Sequence, residues 1–297
     1  MRIGILGIGA IGGLIAALLH RNGQNITCIC RKETQERINQ YGLKLESKIY
    51  GDYSFKPTTT TFLNEDLDLL LIATKTQYLS MALKQVNPEN LRNSIVVPLL
   101  NGVGFMDLLE STFHHNVIYG TIGALEVVKE ENTISHKSTL NRPIVELGSM
   151  NADLSCKIKE ITSLLKKIDF NASFLQQGRD VIWNKLIRLN TVSSFTAAYQ
   201  KSIGQIRSDS ALKLQMELFT KETIMVANLD GYNIKPEKVM AQIDQLPFEL
   251  RTSLQRDIAA QKSSELDFIT GGVLRLGIQK NISMPIHAQI YNQISRY

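Results

Sequence analysis

A chain of 297 residues, 43% hydrophobic and 21% charged, has the composition of an ordinary globular protein and is long enough for two domains. Its formal charge of +5 is spread along the sequence, which gives no support to a nucleic-acid partner. The three cysteines, Cys28, Cys30 and Cys156, match no zinc-ligand spacing and cannot all pair, as expected in a reduced cytoplasmic compartment.

The chain begins with a short apolar run at 3–6, followed directly by a glycine motif, Gly7-Ile8-Gly9-Ala10-Ile11-Gly12. The motif stands between a predicted strand and a helix predicted to run to residue 19, as dinucleotide binding requires. Its glycines permit a tight turn and a close approach of the backbone to a pyrophosphate, which binds at the helix N-terminus.

A secretory signal peptide is the competing interpretation of this N-terminal segment. No small-x-small cleavage site follows it, and the glycines are spaced for a turn. No other stretch approaches the roughly twenty apolar residues of a membrane span. We therefore expect no membrane association.

Strands and helices alternate through the next hundred residues. Apolar runs predict strands at 25–30, 67–73 and 95–100, the last two of the kind that is buried on both faces of a sheet. A helix is predicted at 78–86, ahead of Pro88. This alternation predicts an α/β domain with a doubly wound parallel sheet.

The pattern changes after residue 117. Short β-like segments at 119–122 and 144–147 precede an amphipathic helix at 154–168 and a last strand at 172–175. From residue 178 the chain is predicted to be helical almost throughout, with breaks at four places: near Gly204, at 230–233, near Pro247 and at Met284-Pro285. We therefore predict two domains, 1–177 and 178–297, with a substrate cleft between the α/β domain and the all-α domain.

A pair of cations, Arg31-Lys32, follows the second predicted strand. NAD-binding domains carry an acidic residue there, which binds the ribose 2′-hydroxyl. A guanidinium makes paired, charge-assisted bonds to phosphate, so Arg31 favours the 2′-phosphate of NADP. The competing interpretation is a solvated charge pair, and the neighbouring Glu33 weighs against NADP.

Polar residues follow the next two predicted strands, where ligands of open α/β sheets bind. Lys75 is suited to meet phosphate or carboxylate, and the amide of Asn101 to hold both a nicotinamide ribose and a substrate oxygen. In the second domain, Lys185 beside a carboxylate such as Glu265 is suited to protonate a ketone oxygen as it is reduced. Solvated side chains and a plain turn are the alternatives for these residues.

Five motifs in order resemble the ketopantoate reductase (2-dehydropantoate 2-reductase) family, and they cover nearly the whole chain. They are the N-terminal GxGxxG, Thr74-Lys75-Thr76-Gln77, Leu100-Asn101-Gly102-Val103-Gly104, Trp183-Asn184-Lys185-Leu186, and Ser253 followed at the family's spacing by Glu265-Leu266-Asp267. The resemblance implies a Rossmann-type N-terminal domain and an all-α C-terminal domain like that of 6-phosphogluconate dehydrogenase. It also implies the cytoplasmic, NADPH-dependent reduction of 2-dehydropantoate to pantoate, in pantothenate and coenzyme A biosynthesis.

The resemblance further implies a role for each site residue, and no metal. The cofactor would be bound by Gly7, Ile8, Gly9, Ala10, Ile11, Gly12, Arg31, Lys75, Asn101 and Glu265. Lys185 would donate the proton to the substrate carbonyl, and Glu265 would help to orient the reacting groups. The substrate would be bound by Asn101, Lys185, Ser193 and Ser253.

Three positions depart from the family pattern. Asparagines are common four and eight residues after the lysine, where this chain has Leu189 and Ser193, and ahead of a later glycine, where it has Ile203. Asn190 lies beside Leu189 but is rotated by about 100° around an ideal helix, so it does not replace the missing amide.

Because these departures leave fewer polar partners for a substrate hydroxyl, two alternative functions stay open. One is a D-2-hydroxyacid dehydrogenase acting on a more apolar 2-oxo acid, and the other is a catalytically silent NADP-binding regulatory protein. The sequence does not distinguish a monomer from a homodimer.

Overall fold

The computed structural model describes residues 1–138 and 142–297 and divides into two compact units. The N-terminal unit holds Met1–Leu100 and Phe105–Val181, and the C-terminal unit holds Asn101–Gly104 and Ile182–Tyr297. The strands are β1 (Arg2–Leu6), β2 (Asn25–Ile29), β3 (Leu43–Ser47), β4 (Tyr53–Phe55), β5 (Thr58–Thr60), β6 (Leu69–Ile72), β7 (Ile95–Pro98), β8 (Tyr119–Gly123), β9 (Val127–Glu130), β10 (Thr133–His136), β11 (Ile144–Gly148) and β12 (Asn171–Leu175). The α-helices are α1 (Ala10–Arg21), α2 (Lys32–Tyr41), α3 (Leu79–Ala82), α4 (Met106–Phe113), α5 (Ser155–Lys167), α6 (Gly178–Tyr199), α7 (Ile203–Arg207), α8 (Ser210–Leu229), α9 (Pro236–Asp244), α10 (Ser253–Ala259), α11 (Thr270–Gln279) and α12 (Pro285–Ile294).

Five parallel strands form the central sheet of the N-terminal unit, in the order β5-β2-β1-β6-β7. Every residue of β6 and β7 is buried, as the apolar runs predict. The strand order reverses at β1, and ligands of such sheets bind outside the carboxyl ends of the strands at that reversal. The predicted parallel sheet is therefore confirmed, and Gly7 and Thr74 follow two of its strands at the reversal.

A second sheet, of four strands in the order β4-β3-β10-β9, has no counterpart in the prediction. It packs on α1, where Ile134 of β10 lies so close to Gly13 that a Cβ on that glycine would be 2.7 Å from the side chain. Strands such as β3 alternate buried leucines with Lys44 and Glu46, which are not buried, so they contain no apolar run. Short half-exposed strands of this kind give a weak sequence signal.

The remaining predicted elements of this unit are present with small changes. A three-stranded sheet, in the order β12-β11-β8, packs against α5, and all four elements were predicted within a few residues. The helix predicted at 78–86 is wrong in length, because α3 has only four residues between two short 3₁₀ turns.

The C-terminal unit is largely helical, as predicted. Helix α8 lies against α7, α9, α11 and α12, and Phe195 and Phe219 meet edge to face in its core. The break predicted near Gly204 is present, since α6 ends at Tyr199 and α7 begins at Ile203. Gly204 itself lies inside α7, where a Cβ would be 2.2 Å from the ring of Phe248. None of the helices described is long and apolar enough to cross a membrane.

Candidate active site

A chain of hydrogen bonds joins three of the predicted site residues within the C-terminal unit. The Lys185 amine donates to Asn101 Oδ1 at 2.6 Å, and Asn101 Nδ2 donates to Glu265 Oε2 at 2.9 Å. A carboxylate only accepts hydrogen bonds and an ammonium only donates them, so these two neighbours fix which way the amide faces. Lys185, Asn101 and Glu265, called here the Lys-Asn-Glu triad, form one oriented unit.

The position of Asn101 depends on the glycine that follows it. Gly102 has a φ of +89°, and a Cβ there would lie 2.2 Å from the carbonyl oxygen of Phe268. The N–H of Val103 donates to that same carbonyl at 2.9 Å. Only glycine adopts this conformation and allows so close an approach without strain, so the Asn-Gly motif holds Asn101 against the segment that carries Glu265.

The environment of Lys185 suits a proton donor. Burial lowers the pKa of its amine, the charge of Glu265 works in the opposite direction, and Arg188 lowers it further, to about 8. An amine with that pKa remains largely protonated at neutral pH, yet gives up its proton far more readily than an ordinary lysine. General acids work best when their pKa lies near the working pH.

Contacts that the sequence did not predict hold the residues on the N-terminal side of Lys185. The indole of Trp183 donates to Asp230 Oδ2 at 3.2 Å, and Lys280 forms an ion pair with the same carboxylate at 2.8 Å. The Tyr232 hydroxyl donates to the side chain of Asn184. The sequence indicated only a helix break at 230–233, because partners this far apart in the chain leave no local pattern.

Ser193 lies two turns beyond Lys185 on α6. Its side chain is 1% exposed, and its hydroxyl has no hydrogen-bond partner in the described part of the chain. Close by on the same helix, Thr196 shares a hydrogen bond of 2.9 Å with Thr252, which caps α10. Ser253 is exposed and is the first residue of α10.

The other departures from the family pattern have different surroundings. Leu189 is half-buried, one turn beyond Lys185. Asn190 is fully buried, and its amide bonds with His287 at 3.1 Å and with Thr223 at 3.2 Å, so its amide is engaged within the C-terminal unit. Ile203 is also fully buried and is the first residue of α7.

The glycine motif of the N-terminal unit has the geometry of a phosphate-binding turn. Gly7 has a φ of +96°, and a Cβ on Gly12 would lie 2.0 Å from the Gly7 carbonyl oxygen. By contrast, a Cβ on Gly9 would have no neighbour within 4 Å, so the backbone there faces open space. Gly9 is the N-cap of α1, whose first turn carries no acidic residue. These features fit the pyrophosphate of a dinucleotide.

Two predicted cofactor residues lie just beyond strands of the parallel sheet. Arg31 is exposed and precedes α2, and Lys75 is exposed shortly after β6. Cys28, in β2, and Cys30, directly after it, are both buried in the core of this unit. Burial raises the pKa of the Cys30 thiol to about 11, so it is not a nucleophile.

Within 1–138 and 142–297, no group of three or more His, Cys, Asp or Glu side chains is placed to hold a metal ion.

The chain resembles known proteins over its whole length. It is 25% identical over 306 residues to 2-dehydropantoate 2-reductase of Vibrio cholerae, covering 99% of this chain and 97% of that one. It is 21% identical over 302 residues to an uncharacterized oxidoreductase, YkpB, of Bacillus subtilis, covering 100% and 99%. D-mandelate dehydrogenase, solved with NADH and anilino(oxo)acetate, superimposes with a TM-score of 0.88 at 19% identity, covering 100% and 98%.

Two family models match the chain, one in its N-terminal part and one in its C-terminal part. The model of ketopantoate reductase PanE/ApbA matches residues 3–151, and that of the ketopantoate reductase PanE/ApbA C terminal matches residues 178–297. The protein is therefore an oxidoreductase that belongs to the ketopantoate reductase family.

Proposed function

We propose that the protein is a cytoplasmic enzyme that reduces a 2-oxo acid to a 2-hydroxy acid with NADPH. The first candidate substrate is 2-dehydropantoate, whose reduction gives pantoate for pantothenate and coenzyme A synthesis. The observation that carries the proposal is the Lys-Asn-Glu triad, in which a lysine with a pKa of about 8 donates to an amide that in turn donates to a carboxylate. The relative from Vibrio cholerae, named for this reaction, supports the choice of substrate.

The residues that would hold the cofactor follow from the geometry of the N-terminal unit. The open backbone at Gly9 and the N-terminus of α1 would bind the pyrophosphate. Arg31 would bind the 2′-phosphate, and Lys75 would lie along the cofactor. When bound, the nicotinamide supplies the hydride for the ketone carbon.

The chain's own residues would supply the proton. As negative charge develops on the ketone oxygen, the Lys185 ammonium donates a proton to it and becomes a neutral amine, which water then reprotonates. Asn101 holds that ammonium through Oδ1 and so restricts where the proton is delivered. Glu265 holds the opposite end of the amide, and its charge keeps the amine protonated.

Two serines would bind the rest of the substrate. Ser253 would meet the carboxylate, and the buried hydroxyl of Ser193 would gain from the substrate the partner that the described residues do not provide. A buried hydroxyl without a partner is unfavourable, so a substrate that provides one binds better.

A second candidate function is a D-2-hydroxyacid dehydrogenase acting on a more apolar 2-oxo acid. Leu189 favours it, because this half-buried aliphatic side chain stands one turn from Lys185 where family members commonly have an amide. The structural similarity to D-mandelate dehydrogenase points to the same class of substrate.

The test is an assay of NADPH oxidation with 2-dehydropantoate, 2-oxoisovalerate and phenylglyoxylate. The proposal predicts the highest kcat/KM for 2-dehydropantoate, whereas the reverse order would establish the second candidate. Tight NADPH binding without turnover of any 2-oxo acid would instead indicate a silent NADP-binding regulatory protein.

A further inference from the structure

We propose that Lys129 is a cofactor-specificity residue, whose amine binds the 2′-phosphate of NADPH together with Arg31 and Arg37. The inference rests on the proposed use of NADPH and extends it to a residue outside every motif of the sequence. It concerns the N-terminal unit alone.

The amine of Lys129 lies against the glycine motif. Lys129 is on β9, the edge strand of the four-stranded sheet, and its amine donates to the carbonyl oxygen of Ile8 at 2.7 Å. An ammonium carries three donors, so this one hydrogen bond leaves donors for an anion. The second residue of the GxGxxG motif thus has a lysine amine bound directly to it.

Strand pairing and one glycine explain why the amine reaches this place. Lys129 stands directly opposite Ile134 in the antiparallel pair of β9 and β10, and residues opposite each other share a face of the sheet. Ile134 packs on Gly13 of α1, which has no side chain to keep the sheet away. Lys129 therefore faces the same helix, near its N-terminal end.

The charges around Lys129 indicate an anionic ligand. Burial lowers the pKa of its amine, and the positive charge of Arg37 lowers it further. The other groups that act on this pKa are the thiols of Cys30 and Cys28. Among the described residues, no carboxylate is identified as raising it. A half-buried cation whose charged neighbour is another cation is unfavourable, and a bound anion relieves that cost.

The location of these groups distinguishes the 2′-phosphate from the pyrophosphate. Cys28 and Cys30 mark the carboxyl end of β2, and Arg31 follows at once. That is where NAD-binding domains place the acid that holds the ribose 2′-hydroxyl, whereas the pyrophosphate binds the free N–H groups of α1.

Asn132, in the turn after β9, donates to the carbonyl of Arg37 at 3.2 Å. The hairpin of β9 and β10 is therefore fastened to α2, on the side of the 2′-phosphate. The hydrogen bond to Ile8 and this bond together fix Lys129 between the glycine motif and α2.

The experiment compares cofactor binding by Lys129→Met and Lys129→Gln with that of the wild type. Isothermal titration gives Kd for NADPH, NADH, adenosine 2′,5′-bisphosphate and AMP without any turnover. We expect both variants to bind NADPH and the bisphosphate about tenfold more weakly or worse, since each loses a charge-assisted bond to phosphate. Binding of NADH and AMP should change less than about twofold. Lys129→Gln keeps an N–H donor for Ile8, and circular dichroism confirms that each variant is folded.

Two further variants complete the design. Lys137→Met removes the same charge from an exposed lysine just after β10 and should leave every Kd unchanged. Arg31→Ala removes a residue already predicted to bind the 2′-phosphate, and it shows how far loss of such a residue changes the Kd of NADPH relative to that of NADH. Equal weakening of NADPH and NADH would show that Lys129 acts at the pyrophosphate or braces the glycine motif and does not read the 2′-phosphate, and no weakening would show that it has no role in binding. A wild type that binds neither dinucleotide would overturn the proposed function itself.

Discussion

Replacing Glu265 by Gln tests the electrostatic coupling within the Lys-Asn-Glu triad. The substitution removes a negative charge that raises the pKa of Lys185, while the glutamine oxygen can still accept from Asn101. With burial and Arg188 still acting, the pKa of the amine should fall below its value of about 8. In the proposed mechanism the protonated amine is the active form, so activity should be lost at lower pH than in the wild type.

The size of the effect follows from the geometry of the triad. Hydrogen bonds of 2.6 and 2.9 Å on either side of one amide place the amine and the carboxylate about 7 Å apart. At an effective dielectric constant of about 20, charges at that distance interact by roughly 2 kcal/mol, or about 1.5 pH units. The expected shift is therefore about one to two pH units.

The assay is the pH dependence of kcat/KM, whose alkaline limb reports the acid of the free enzyme. The wild type should lose activity above about pH 8, and Glu265→Gln should lose it at about pH 6 to 7. Asp267→Asn is the matched control, because that carboxylate accepts from Tyr291 and does not act on the pKa of Lys185. An alkaline limb that stays in place or moves upward would refute Lys185 as the general acid or Glu265 as its partner.

Three further predictions test the site and its support. Lys185→Met should lower kcat by about 10²-fold or more with little change in the Kd of NADPH, and an unchanged kcat would remove the lysine from the mechanism. Gly102→Ala should cost several kcal/mol more in urea unfolding than Gly104→Ala, because both glycines have positive φ but only Gly102 meets a backbone oxygen; equal losses would contradict the clash. Stability in urea should fall as the pH drops below about 6.5, because burial lowers the pKa of His287 and hydrogen bonds from His287 and two backbone amides lower that of Glu222 despite its burial. Both groups then bind fewer protons in the folded state than in the unfolded state, so the free energy of unfolding should depend less steeply on pH in His287→Gln than in the wild type. An unchanged slope would show that other groups cause the pH dependence.

Strands that are buried on both faces are the elements that the sequence predicts most directly. Strands β6 and β7 are buried on both faces and therefore appear as unbroken apolar runs. Helix α2 was not predicted, because Ile38 is the one side chain among its ten residues that is buried. A helix with so little apolar surface is recognised from its tertiary contacts and not from periodicity.

The residues of the candidate site were predictable for a different reason. The hydrogen bonds of the triad join positions 84 and 164 residues apart, so no spacing rule connects them, and only the resemblance to a family brought them together. Lys129 belongs to no motif and stands on a short strand with little burial, so its contact with Ile8 emerges only from the folded chain.

Different residues of α6 bear on the proposed reaction and on the choice of substrate. The triad fixes Lys185, while Ser193 keeps a buried hydroxyl with no partner among the described residues. 2-Dehydropantoate carries a hydroxymethyl group that 2-oxoisovalerate lacks, and leaving a buried hydroxyl unsatisfied costs about 1–3 kcal/mol. If the substrate hydroxyl meets Ser193, the ratio of kcat/KM for these two acids should be roughly 10 to 100 and should fall in Ser193→Ala. If Leu189 dominates instead, the ratio is near one or inverted and Ser193→Ala leaves it unchanged, so this one ratio measures which side chain of α6 selects the substrate.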